Sequence, residues 1–276
     1  MKLHYFLILA SCLILFSCAT PSEKFISKAD AMGFKGVFID SGQFRHRIYV
    51  NKHIQKKSVQ SVIHVYLDGD GTPFEKHRWI TNDPTPRNHL ILRMMEQDLS
   101  PAILLGRPCY LGFSQSTACH NKYWTSHRYS EQIVSGMIKA LNAWLQPRQY
   151  KEVVLIGYSG GGALAMLMAS AIKSIDSVVT VAANLDVVAW SRLHGYSPLS
   201  GSLNPADFSL PENIKQFHLS GGRDDVVPES IVKKIAKKNS KAKFMLFEQY
   251  THQCCWDDDW RRILATIFLL DNHSYE

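Results

Sequence analysis

Ser159 stands at a corner of the chain. In VVLIGYSGGGALAML (residues 153–167), four apolar residues run into Gly-Tyr-Ser-Gly-Gly and then into small, helix-compatible residues. A serine hydroxyl is a poor nucleophile at neutral pH, so it needs a base to take its proton and a carboxylate to orient that base. A strand that turns abruptly into a helix strains the corner residue and requires small neighbours two positions away. Gly157, Gly160 and Gly161 supply that room, which makes the segment a G-x-S-x-G nucleophile elbow. A phosphate-binding glycine turn would carry a P-loop lysine or a full G-x-G-x-x-G, and the segment has neither.

The partners of such a serine follow it in the order acid, then base. Acid candidates stand in HLSGGRDDVVP (218–228), where Asp224 follows a strand-like run and two glycines. A helix cap or turn residue is the ordinary alternative for it. Asp186, directly after SVVTVAANL, is the other acid candidate. Of the twelve histidines, His252 in EQYTHQCCW lies just after the last strand-like run, where a loop can carry it back over the sheet edge. His218 falls within a strand, His194 precedes the Asp224 loop, and His273 lies in the polar tail, which leaves His252 as the base.

The surrounding pattern must place these groups together. Strand-like GVFID (36–40), FRHRIYV (44–50) and SVIHVYL (61–67) come first, rich in β-branched and aromatic residues. Helix-like and strand-like segments then alternate. They are RNHLILRMMEQDL (87–99), AILLG (102–106), SEQIVSGMIKALNAWL (130–145), EVVLIG (152–157), a helix over 161–173, and SVVTVA (177–182). Residues 184–213 show no clear period and form an irregular insert near the site, with Trp190, Leu193, Tyr196, Leu199 and Leu203 as an apolar wall. IKQFHLS (214–220), a helix over 228–238, KFMLFEQ (243–249) and a closing helix from about 257 complete the chain. Asp257, Asp258 and Asp259 read as first-turn acids of that last helix. Alternation of this kind implies an α/β fold with a mostly parallel sheet covered on both faces.

Composition is that of a globular protein: 46% hydrophobic and 20% charged over 276 residues, with a formal net charge of +7. The basic residues are scattered and no aromatic-basic module accompanies them, so nucleic acid is not an expected partner. The N-terminus, MKLHYFLILASCLILFSCAT, joins one lysine to an apolar stretch and reads as a secretory signal over 1–17, an uncleaved apolar anchor being the alternative. Ser17-Cys18 resembles a bacterial lipobox, making Cys18 the candidate lipidated residue, with Cys12 as the alternative. Ala19 resembles an outer-membrane sorting residue, and residues 18–33 read as a tether. In an oxidising compartment Cys109–Cys119 is the favoured disulfide. Cys254 and Cys255 then remain as thiols or an adjacent pair, with crossed pairings open. A metal site at His252, Cys254 and Cys255 lacks a second ligand cluster with structural-zinc spacing.

Elbow, acid loop, final histidine and the Gly-rich HVYLDGDGTPF after the third strand together resemble the α/β-hydrolase superfamily over most of residues 34–271. The resemblance implies an α/β-hydrolase domain over 34–276 and an exported serine hydrolase, esterase- or lipase-like, acting through an acyl-enzyme without metal or organic cofactor. Its acid-loop register, Asp followed by two residues and Val-Pro, selects Asp224 over Asp225. It also implies oxyanion donors at the Gly160 amide and the Asp70 amide, with Gly71 as neighbour. Asp68 stands where the usual pattern has His, and the Asp68 and Asp70 side chains are expected to turn from the oxyanion toward amides. The implied partners are a small-molecule or lipid ester and, through the anchor, a membrane of the cell envelope. The alternatives are a transacylase or serine peptidase with the same triad, or a non-catalytic lipoprotein that binds through the fold.

Overall fold

The computed structural model describes residues 19–54, 61–76, 78–148 and 150–272. The cysteines read as lipidation candidates, Cys12 and Cys18, lie outside the described residues. An eight-stranded sheet runs in the order β1-β2-β6-β3-β7-β8-β9-β10. Its strands are β1 (Lys35–Asp40), β2 (Arg45–Val50), β3 (Val62–Leu67), β6 (Ala102–Leu105), β7 (Glu152–Tyr158), β8 (Ile175–Val181), β9 (Lys215–Gly221) and β10 (Lys243–Phe247). A short hairpin, β4 (Phe74–Glu75) and β5 (Trp79–Ile80), stands apart from it.

β1, β2 and β6 pair antiparallel, and from β6 onward every pairing is parallel. The parallel strands are near-continuous apolar runs because helices cover both faces. β7 is buried throughout after its first residue, and Val154, Leu155 and Ile156 pair with β3 on one side and β8 on the other. The helices are α1 (Pro21–Ala31), α2 (Leu90–Gln97), α3 (Glu131–Leu145), α4 (Gly160–Ala169), α5 (Val187–Leu193), α6 (Glu229–Ala236) and α7 (Trp260–Asn272). On α3, Ile133, Met137, Leu141 and Leu145 are all buried, one turn apart, so they share the face turned to the core.

Three expectations need correcting. Residues 21–31 are no tether but α1, started by a Thr20–Glu23 capping box with Pro21 in the first turn. Phe25 and Ala29 of α1 are fully buried in the core. The closing helix begins at Trp260, so the three aspartates precede it: Asp257 pairs with Arg93, and Asp259 with Arg262. The insert is less irregular than its sequence, holding α5 and a 3-10 turn at Pro205–Asp207. Trp190, Leu199 and Leu203 pack on the core, whereas Leu193 and Tyr196 are exposed.

Candidate active site

β7 delivers Ser159 to the C-terminal edge of the sheet, and α4 begins at the next residue. Ser159 has φ 52° and ψ −121°, a left-handed conformation costly for any residue with a side chain. The corner is over-determined. A methyl on Gly157 would lie 2.4 Å from the Gly161 carbonyl oxygen, and one on Gly161 would lie 2.0 Å from that of Leu67. Ser159 N–H donates to the Val181 carbonyl at 2.9 Å, and its own carbonyl accepts from Gly162 at 3.0 Å and Asn184 at 3.3 Å. The hydroxyl makes no capping bond to α4 and is left for other work.

That hydroxyl meets His252. Its Oγ lies 3.0 Å from His252 Nε2, and Nδ1 of the same ring lies 2.9 Å from Asp224 Oδ2. The three residues come from three separate strand ends, at sequence separations of 93 and 28. Asp224 is held from below: its Oδ1 accepts from Val226 N–H at 2.9 Å and Val227 N–H at 2.7 Å, leaving Oδ2 for the imidazole. The two loops are also tied together, Arg223 N–H donating to the Tyr250 carbonyl at 2.9 Å. Thr251 and Cys254 bridge the turn that carries His252, and Trp256 Nε1–H donates to the Thr251 carbonyl. With the ring proton on Nδ1 facing the carboxylate, Nε2 can accept the serine proton, the arrangement a base-activated nucleophile needs.

The competing residues are occupied elsewhere. Asp186 caps α5, its Oδ1 accepting from Ala189 N–H at 3.0 Å, and Asn204 donates to the same oxygen. Asp225 is exposed beside the buried Asp224. His218 is sealed in the sheet against Thr180, and burial holds it down at about 4, so it stays neutral there. Cys109–Cys119 and Cys254–Cys255 are both disulfides.

The loop after β3 packs against the elbow. A methyl on Gly69 would lie 3.2 Å from Ser159 Cβ, so its backbone backs directly onto the serine. Asp68 Oδ1 accepts from Gly69 N–H at 2.8 Å, as the amide expectation had it. Burial pushes the Asp68 carboxyl up to about 7, the Gly69 bond and Arg107 opposing it only in part. Asp70 departs from that expectation. It turns to cations: Arg107 Nη1 donates to Oδ1 at 2.6 Å, and Arg128 Nη1 and the Tyr129 hydroxyl donate to Oδ2 at 2.9 and 2.6 Å. Burial alone would raise this carboxyl, yet Arg128 and Arg107 hold it down at about 2, fully ionised. Arg107, Arg128, Tyr110 and Tyr129 surround Asp70, and sequence reasoning did not single them out. The one available signal was an arginine placed directly after the apolar AILLG run.

A family model described as the dienelactone hydrolase family matches residues 101–259. Solved structures share the fold at low identity. Est1E from Butyrivibrio proteoclasticus superposes with a TM-score of 0.62 at 12% identity, covering 85% of this chain and 97% of that one. The Pyrococcus furiosus esterase Pf2001 gives 0.58 at 14%, covering 85% and 92%. Mouse alpha/beta hydrolase domain-containing protein 10 gives 0.57 at 15%, covering 87% and 99%. Comparison with curated proteins finds no match.

Proposed function

The chain belongs to the dienelactone hydrolase family, and from that premise we propose that it is a serine hydrolase cleaving carboxylic esters through Ser159, His252 and Asp224. The observation that carries the reading is the continuous pair of contacts, 3.0 Å from Oγ to Nε2 and 2.9 Å from Nδ1 to the Asp224 carboxylate. His252 takes the Ser159 proton as the oxygen attacks the ester carbonyl. Asp224 keeps the ring in the productive tautomer and stabilises the imidazolium. The carbonyl oxygen, now negative, is held by the amides of Gly160 and Asp70, with Gly71 as neighbour. Collapse expels the alcohol, which takes the proton from His252, and leaves an acyl group on Ser159. Water activated by His252 then releases the acid. The Pyrococcus furiosus esterase among the fold neighbours supports this choice over amide cleavage.

A p-nitrophenyl ester series of increasing acyl length tests the reading. Turnover by the wild-type protein that vanishes in Ser159→Ala is expected; equal turnover by both would refute it. We further propose, from the signal-like N-terminus and Ser17-Cys18, export to the cell envelope and a lipid anchor on Cys18. A lipid-modified N-terminal peptide in mass spectrometry of membrane-extracted protein is expected, and an unmodified peptide beginning at Met1 would refute it.

A further inference from the structure

We propose that Arg107 is a positioning residue for the oxyanion site, turning the Asp70 N–H into it by gripping the Gly69 carbonyl. The inference rests on the ester-hydrolase reading above. Three successive amides follow β3, and each has a distinct fate. Gly69 N–H is occupied by the Asp68 carboxyl. The Gly69 carbonyl accepts from Arg107 Nη1 at 3.1 Å, and the Asp70 carbonyl accepts from the Tyr110 hydroxyl at 3.0 Å. Among the described residues the cis peptide is Cys254–Cys255, so the 69–70 and 70–71 peptides are trans. Across a trans peptide plane the C=O and N–H point in opposite directions. Drawing the Gly69 oxygen toward Arg107 therefore turns the Asp70 N–H away from it, and Tyr110 does the same to the Gly71 N–H. Because Gly69 backs onto Ser159 and Asp70 lies against Gly160, the Asp70 amide lies at the serine's edge, whereas Gly71 packs on Pro84 and Pro86.

The same side chain solves an electrostatic problem. The Asp70 carboxylate lies against Gly160, whose N–H is the other donor, and a bare anion there would repel a developing oxyanion. Arg107 and Arg128 both pair with it, so these three side chains together carry one net positive charge. Arg107 is 2% exposed and bridges three acceptors, the third being the Arg128 carbonyl, reached from Nη2 at 2.9 Å. A planar fork can span them; a lysine ammonium on its flexible stem cannot hold all three in one geometry.

The test compares wild type, Arg107→Lys, Arg107→Met, Tyr110→Phe and Ser159→Ala. Rates on p-nitrophenyl acetate are normalised to the fraction of chains titrated by a fluorophosphonate, so partly misfolded protein does not count. Affinity for phenylboronic acid, which becomes a tetrahedral anion on serine, reports the oxyanion site separately. For Arg107→Met, kcat is expected to fall about 10²-fold, with KM within about twofold and boronate affinity falling in parallel. Arg107→Lys is expected to recover part of that loss, and Tyr110→Phe to lose about tenfold in kcat. Titratable variants whose kcat stays within about threefold of wild type, or whose loss lies in KM alone, would overturn the positioning role. Should Arg107→Met not fold, the other two substitutions decide by the same criteria. A wild type that neither hydrolyses the ester nor is labelled at Ser159 overturns the hydrolase reading, and the positioning role with it. An active, labelled wild type beside unimpaired variants overturns the positioning role alone.

Discussion

Asp70 and Gly160 touch: a methyl on the glycine would stand 2.1 Å from Asp70 Oδ1 and 2.6 Å from the Tyr129 hydroxyl. The residue after Ser159 is thus glycine for the sake of a carboxylate that is itself locked by two guanidinium groups. Gly160→Ala must push that cluster aside. It is expected to destabilise by about 1–3 kcal/mol in urea unfolding, as overpacking does, and to lower kcat at least tenfold. An alanine variant as stable and as active as wild type would show that the contact is slack.

Under the proposed mechanism, Asp224 should matter through the direction of one hydrogen bond. In Asp224→Asn the amide presents an N–H where the carboxylate accepts, favouring the wrong imidazole tautomer. A fall in kcat of about 10⁴-fold is expected with the thermal midpoint nearly kept, since the Val226 and Val227 amides can still bond the remaining oxygen. Steady-state kinetics beside a thermal melt checks both halves.

Much of this constellation is legible in sequence because its signals are local. A five-residue glycine pattern marks the elbow, and single loops after strands carry Asp224 and His252. Arg107 and Arg128 are not legible in that way. They reach Asp70 from 37 and 58 residues further along, and no local spacing says which carboxylate a buried arginine will find. α1 was legible in principle, through Thr20, Pro21 and Glu23. The lipobox-like stretch beside it argued for a tether, and the buried faces of Phe25 and Ala29 decided otherwise. The aspartates at 257–259 satisfy the charge preference of a helix start. Pairing with Arg93 and Arg262 uses Asp257 and Asp259 instead, and the helix begins at the fully buried Trp260.

Helix α1 as a packed element has a measurable consequence. Phe25 is fully buried, in ring contact with Tyr49 and His89. Phe25→Ala is expected to cost about 3–5 kcal/mol in denaturant unfolding. A loss below about 0.5 kcal/mol, typical of a surface residue, would restore the tether reading.

Asp68 should make stability depend on pH near neutrality. Its carboxyl is pushed up to about 7 in the fold from an ordinary 3.8. Between those values the folded protein keeps a proton that the unfolded chain has released. The contribution is therefore complete below about pH 4 and is lost as pH rises through about 7. Asp68→Asn is neutral throughout and can still accept from Gly69 N–H. It is expected to flatten the decline between pH 5 and 8 and to be more stable than wild type at pH 8 by at least about 1 kcal/mol. Parallel stability curves for the two proteins would contradict this.

The most direct measurement is the intact mass of the folded protein after exposure to diisopropyl fluorophosphonate, followed by peptide mapping. A single adduct on Ser159 is expected, absent from Ser159→Ala and formed far more slowly in His252→Ala. No adduct on folded wild-type protein, or an equal adduct in Ser159→Ala, would contradict a nucleophile at this corner.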